Sequence, residues 1–366
     1  MEPKREPSKI ILISPLNWGL GHATRLIPII HKLRNDGHTC IISGESPSID
    51  ILKETFPELE YIYTKGFRVK FSKGSQQWLK LLFQLPSFIS SIYKDKNQVE
   101  KIIAKNNIDI IISDNRYGFR NSAIPSIIIS HQTSPETGPK FKWINWTSTK
   151  IITTLINQFD ALWIPDSQTS TNLSGRLSSA KTKIPTNYIG LLSRLSVTNE
   201  NTEKSTKLAP DRLVILSGPE PQRSILEQLL IDKFSESNLS TLILQGLPGQ
   251  KNQKPAIGSV SFMANCQSFQ LKQLLKASKT IICRSGYSTL MDLFVMNRRA
   301  ILIPTPGQYE QEYLADRLND FFGFKSISQS QIHLLPETEF KQLNTRIKLL
   351  NNFKSCHLPY FTDIKK

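Results

Sequence analysis

Ile10-Ile11-Leu12-Ile13-Ser14-Pro15-Leu16-Asn17-Trp18-Gly19-Leu20-Gly21-His22 decides the fold. A wholly apolar run gives way to a glycine turn, and a helical pattern follows from Thr24 to Asn35 with Leu26, Ile29, Ile30 and Leu33 on one stripe. Gly37 then stands as the helix stop. A strand without polar alternation is covered on both faces, so this strand–turn–helix unit belongs to parallel α/β architecture. Lys4, Arg5 and Lys9 precede the apolar run in the order of a secretory signal. The run is too short for one and meets no small-residue cleavage pattern, so a buried first strand is expected.

The same alternation continues outward from that unit. In the first half Thr39–Ser43, Ile108–Ser113, Ser126–Ser130 and Ala161–Ile164 read as further strands. Between Ser193 and Asp211 the composition shifts to Ser, Thr, Asn, Glu and Lys, the mark of an exposed linker. The pattern then restarts with strands at Arg212–Leu216, Leu239–Gln245, Ser259–Met263, Thr280–Cys283 and Ala300–Pro304. Helices are expected near Arg223–Phe234, Ser268–Ala277, Ser288–Met296 and Gln311–Asn319. The expected organisation is an N-terminal Rossmann-like domain at 1–192 and a linker at 193–210. A second α/β domain follows at 211–345, and a tail at 346–366 that packs back on the N-terminal domain. Two such α/β halves place a ligand cleft at the carboxyl ends of their strands.

The chain has 366 residues, 39% hydrophobic and 21% charged, in the range of globular proteins. No apolar run approaches the roughly 20 residues that span a bilayer. Cys40, Cys266, Cys283 and Cys356 form no CxxC pair and read as free thiols in a reducing, cytoplasmic setting, with no metal site and no cofactor expected. The net charge of +16 calls for acidic partners, and no nucleic-acid motif accompanies it. Between Lys65 and Lys105 nine Lys/Arg face only Asp95 and Glu100, interleaved with Trp78, Leu79, Leu81, Leu82, Phe83, Leu85, Phe88, Ile89, Ile92 and Tyr93. This stretch reads either as a core helix among solvated lysines or as a peripheral dock on an anionic membrane surface.

Four loops at strand ends carry the chemistry. In the first, Gly19 and Gly21 let the backbone turn tightly beside a helix N-terminus, which attracts anions. His22 beside them is either a general base or a capping and core histidine. In the second, Arg284-Ser285-Gly286-Tyr287-Ser288-Thr289 joins a buried strand to a helix, so that backbone amides and the hydroxyls of Ser285, Ser288 and Thr289 can cradle a diphosphate. Asp292, about one turn in, can accept bonds from ribose hydroxyls; the alternative is an ordinary capped helix. The third loop brings Gln311 and Glu312 to the same rim, where they suit sugar hydroxyls. The fourth, Ser217-Gly218-Pro219-Glu220-Pro221-Gln222-Arg223, offers Arg223 to phosphate.

The Cys283-Arg284-Ser285-Gly286 block with Thr289, the Pro-rich strand end Pro304-Thr305-Pro306 and the Gln311-Glu312 pair resemble the C-terminal domain of glycosyltransferase family 28. The Gly19-Leu20-Gly21-His22 loop resembles that family's N-terminal glycine-rich loop. The family's best-known activity is the GlcNAc transfer that completes lipid II. The resemblance implies a GT-B fold, two Rossmann-like α/β domains facing each other across a cleft, and inverting, metal-independent transfer from a nucleotide-diphosphate sugar, a UDP-sugar first. It places Gly21 and His22 toward acceptor and donor phosphates and Ser285, Gly286 and Thr289 against the diphosphate. Asp292 would take the ribose, Gln311 and Glu312 the donor sugar, and Arg223 the phosphates. Departures resemble a separate bacterial branch of the superfamily: Glu312 replaces a second glutamine, and Asp114-Asn115-Arg116 and Ser130-His131-Gln132-Thr133 are polar strand-end clusters that the lipid II-forming enzyme does not share.

The expected catalytic base is His22, with Asp114 and His131 as second choices. Rival readings are a GT-B nucleotide-sugar 2-epimerase and a non-catalytic nucleotide-sugar-binding protein. The acceptor is left open, membrane-associated if residues 65–105 dock on a bilayer.

Overall fold

The structure, a computed structural model, describes residues 7–67, 77–138, 142–169, 171–197, 209–250, 254–337, 356–359 and 361. The linker core at 198–208, the basic stretch at 68–76 and the tail at 338–355 lie outside the described residues, as do the side chains of residues 77–83 and 85. The chain divides into two compact units.

The first unit holds β1 (Ile10–Pro15), α1 (Leu20–Asn35), β2 (Thr39–Gly44), α2 (Ser48–Thr55), β3 (Glu60–Tyr63), α3 (Gln77–Ile103) and β4 (Ile110–Asp114). It continues with β5 (Ser126–Ile129), α4 (Lys142–Ile156), β6 (Ala161–Ile164) and β7 (Thr186–Tyr188). Its sheet is parallel throughout, in the order β3-β2-β1-β4-β5-β6-β7. The apolar runs that suggested buried strands are buried: Ile11, Leu12, Ile13, Ile110, Ile111, Ile112, Ile127, Ile128 and Ile129 are at most 2% exposed. The C-terminal residues also lie in this unit, where the His357 amide donates to the Ile189 carbonyl and Phe361 stacks on Trp163.

The second unit holds β8 (Arg212–Ile215), α5 (Gln222–Phe234), β9 (Thr241–Leu244), β10 (Val260–Met263), α6 (Ser268–Ala277) and β11 (Thr280–Cys283). It closes with α7 (Tyr287–Val295), β12 (Ile301–Leu302), α8 (Tyr309–Phe321) and β13 (Lys325–Ser326). This sheet is also parallel, in the order β10-β9-β8-β11-β12-β13. Val214, Ile243, Ile282 and Ile301 from neighbouring strands share one core with Leu226, Leu230 and Phe234 of α5.

Both sheets reverse their winding beside their first strand, between β1 and β4 and between β8 and β11. At such a switch point the loops from adjacent strands leave toward opposite faces, which opens a crevice at the carboxyl ends where ligands bind. One local expectation is corrected here. The first helix begins at Leu20, not Thr24, because Gly19 takes a left-handed φ of 101° that turns the chain directly into helix. Gly21 and His22 therefore sit in the first helical turn.

Candidate active site

At the switch point of the first unit, Pro15 of β1 lies in register with Asp114 of β4. Two residues of α1 meet that carboxylate, and His131 joins the group through one of them. His22 Nδ1 is 3.0 Å from Asp114 Oδ2. Arg25, one helical turn beyond His22 and on the same face, grips both carboxylate oxygens, with Nε donating to Oδ2 at 2.9 Å and Nη2 donating to Oδ1. Arg25 Nη1 lies 3.4 Å from Nδ1 of His131, just past the end of β5. Asp114 is fully buried and Arg25 is 2% exposed, while the His22 side chain keeps 16% of its surface open.

Electrostatics follow from that burial. Burial pushes the Asp114 carboxyl up, but Arg25 and His22 outweigh it and hold the group below the ordinary carboxylate range. His22 is moved below its ordinary value by burial and by Arg25, against the opposing pull of Asp114. Its neutral, proton-accepting form thus persists to lower pH than in a free histidine. Beside this group Tyr117 bonds to Ser130, and burial raises its phenol.

A second buried pair braces the loop that follows Asp114. Arg116 bonds Asp95 of α3, donates to Ser14 Oγ at 2.8 Å and Thr64 Oγ1 at 3.1 Å, and reaches the Lys65 carbonyl at 3.1 Å. Gly118 lets α3 approach this loop, since a Cβ there would stand 2.2 Å from the Ile92 carbonyl oxygen. An aromatic row leads away from Tyr117: Phe88 at 6.1 Å, then Phe67 at 5.5 Å, then Trp18 at 6.3 Å between ring centres.

The second unit's switch point is built differently. Ser285 Oγ donates to the Gln311 carbonyl at 2.7 Å, and the Gln311 side chain accepts the Thr305 amide at 2.9 Å. Glu312 accepts the Gly307 amide at 2.9 Å. Arg284 is fully buried and donates to the carbonyls of Ile303, Pro304 and Gln222 and to Gln329 Oε1. Its burial lowers the guanidinium to about 10. These four side chains, expected from the sequence to meet the donor, hold the loops to one another. Arg223 is likewise engaged, by Glu220, Glu227 and Ser224. Asp292 receives Ser193 Oγ at 2.6 Å and lies 3.9 Å from Arg194, and burial raises its carboxyl. The fastened loops frame the N-terminus of α7. Its N-cap is Gly286, which brings no side-chain cap and has open space where a Cβ would stand. Gly218, after β8, is similarly open with φ 92°. Among the described residues no group of three or more His, Cys, Asp or Glu side chains could hold a metal ion.

Residues 214–354, from β8 onward, match the glycosyltransferase family 28 C-terminal domain. The chain is a glycosyltransferase of GT-B fold whose second unit carries the family 28 C-terminal domain. Its fold is that of solved glycosyltransferases. It is similar to the kitacinnamycin glycotransferase with a TM-score of 0.62 at 12% identity, covering 89% of this chain and 87% of that one. To the spinosyn rhamnosyltransferase SpnG the TM-score is 0.61 at 12% identity, over 88% and 89%. To UGT89C1 of Arabidopsis thaliana it is 0.56 at 12% identity, over 91% of each. Among curated proteins none matches the chain in sequence.

Within the glycosyltransferase, His22, Asp114 and His131, named separately from the sequence, meet in one cluster. Sequence reading missed Arg25, the residue that joins them. Its signal was an arginine one turn after His22 on a helix whose other face is apolar, which is indistinguishable from a solvated surface residue until β4 is placed.

Proposed function

We propose that the glycosyltransferase moves a hexose or N-acetylhexosamine from a nucleotide-diphosphate sugar to an acceptor hydroxyl with inversion. The observation that carries this reading is the 3.0 Å contact between His22 and Asp114 at the switch point of the first unit. With Nδ1 donating to the carboxylate, Nε2 of His22 is the proton acceptor, and Asp114 steadies the imidazolium that forms. The acceptor proton passes to Nε2, the acceptor oxygen bonds to the anomeric carbon, and the bond from that carbon to the diphosphate oxygen breaks with its electron pair. Charge on the departing diphosphate is relieved by the first turn of α7, beside Gly286 and Thr289, without a metal.

A uridine nucleotide is the first choice because the 283–292 block matches a family of uridine-donor enzymes. Two GT-B neighbours carry nucleoside-diphosphate ligands, SpnG thymidine diphosphate and UGT89C1 UDP-L-rhamnose. Fastened as they are within the second unit, Arg284, Gln311 and Glu312 would shape the donor site through the loops they hold.

The acceptor we propose has an apolar portion and is met at a membrane surface. Two features support this: the row from Tyr117 to Trp18, whose indole is 42% exposed, and Ile89 and Tyr93 standing exposed on α3 among lysines. Among the described residues no helix is long and apolar enough to cross a membrane. The corresponding location is the cytoplasmic face of an anionic membrane.

The test is a thermal-shift series with UDP, dTDP and GDP. UDP at 100 times its dissociation constant is expected to add about 2.7 kcal/mol of stability. The absence of a shift with every nucleotide would overturn the donor-site assignment.

A further inference from the structure

We propose that Arg25 is a positioning residue that sets His22 and His131 in opposite neutral tautomers on either side of Asp114. Donor and acceptor counting fixes both rings. A guanidinium has five N–H donors and no lone pair to offer. Nδ1 of His131, 3.4 Å from Arg25 Nη1, can meet it in one sense alone, as acceptor. The ring proton of His131 is then on Nε2. Asp114, bound through both oxygens by Arg25, is ionised and accepts only. Nδ1 of His22, 3.0 Å from Oδ2, must therefore donate, and its lone pair is on Nε2.

Two imidazoles that look equivalent in sequence thus become unlike groups. His22 presents a basic nitrogen at Nε2, and His131 presents an N–H there. Resting on the transfer reading above, this makes His22 the proton acceptor and gives His131 a donor's role. It also explains why one carboxylate serves both: through Arg25, Asp114 orients the second ring indirectly. The charged and titratable groups facing the pair are Arg25 from α1, Asp114 from β4 and Tyr117 from the following loop. By sharing Asp114, Arg25 limits how far the carboxylate can stabilise a charged His22.

The test uses the free full-length protein labelled with 15N-histidine and needs no substrate. Long-range 1H–15N spectra above pH 7.5, assigned with His22→Gln and His131→Gln, read each ring nitrogen directly. The expected pattern is a protonated Nδ1 with a bare Nε2 for His22 and the reverse for His131. In Arg25→Met the titration midpoint of His22 should rise by about one pH unit or more, and Arg25→Lys should return it toward wild type because it restores the charge. A proton on Nδ1 of His131, one tautomer shared by both rings, or a His22 midpoint unmoved in Arg25→Met would overturn the proposal. Should Arg25→Met fail to fold, the wild-type spectrum still decides the tautomers. If the tautomers are as expected but His22→Ala keeps full turnover, the transfer mechanism fails while this assignment stands.

Discussion

The two switch points of this glycosyltransferase have the same topology and opposite construction. In the first unit the site is made of side chains drawn from far apart in sequence: Asp114 lies 92 residues from His22 and 89 from Arg25. In the second, Arg284, Ser285, Gly286, Thr289, Gln311 and Glu312 come from one short stretch, and most of their polar atoms are spent holding loops. What we propose the second unit offers a ligand is chiefly backbone, at a helix that starts on a glycine. The difference teaches how each site tolerates change. Buried charges depend on one another, whereas a backbone cradle depends only on the path of the chain.

The comparison is most exposed to Asp114→Asn. Removing that charge leaves Arg25 buried without a counter-charge and should cost about 3–5 kcal/mol in denaturant unfolding. A loss under about 1 kcal/mol would mean the first unit's site is no more interdependent than the second's. His22→Ala comes next, lowering turnover by about 10²–10⁴-fold with donor affinity nearly intact. In the wild type the rate should rise with pH through a midpoint below 6.5, because burial and Arg25 keep the ring neutral. The same shift has a stability consequence. As pH falls below 6.5 the unfolded chain takes up a proton that folded His22 resists, so stability declines toward the folded midpoint.

Smaller effects separate the two backbones. Gly118→Ala drives a Cβ to 2.2 Å from the Ile92 carbonyl oxygen and 2.7 Å from its Cα, neither of which can swing aside. Unfolding should register a loss of about 1–3 kcal/mol. Gly286→Ala, with φ −71° and nothing within 4 Å, should stay within about 0.5 kcal/mol of wild type by the same measurement. Equal losses at the two positions would erase the contrast between a braced loop and an open cradle.

Sequence alone determined the parallel α/β class and the central strands, because strands covered on both faces must be continuously apolar and glycines must mark their exits. Three of the four edge strands escaped it, β10 alone being legible, as Ser259–Met263. β3, β7 and β13 are short and polar or partly exposed, so no apolar run announces them. It also found His22, Asp114 and His131 one at a time, since each follows a strand end. Their partnership was invisible in the chain, as was Arg25, because a charged residue in a helix looks solvated until a carboxylate is buried against it. The same limit applies to Arg284, Gln311 and Asp292. A polar side chain near a strand end can face a ligand or fasten a loop, and only the positions of neighbouring carbonyls, amides and hydroxyls decide which hydrogen bonds it makes.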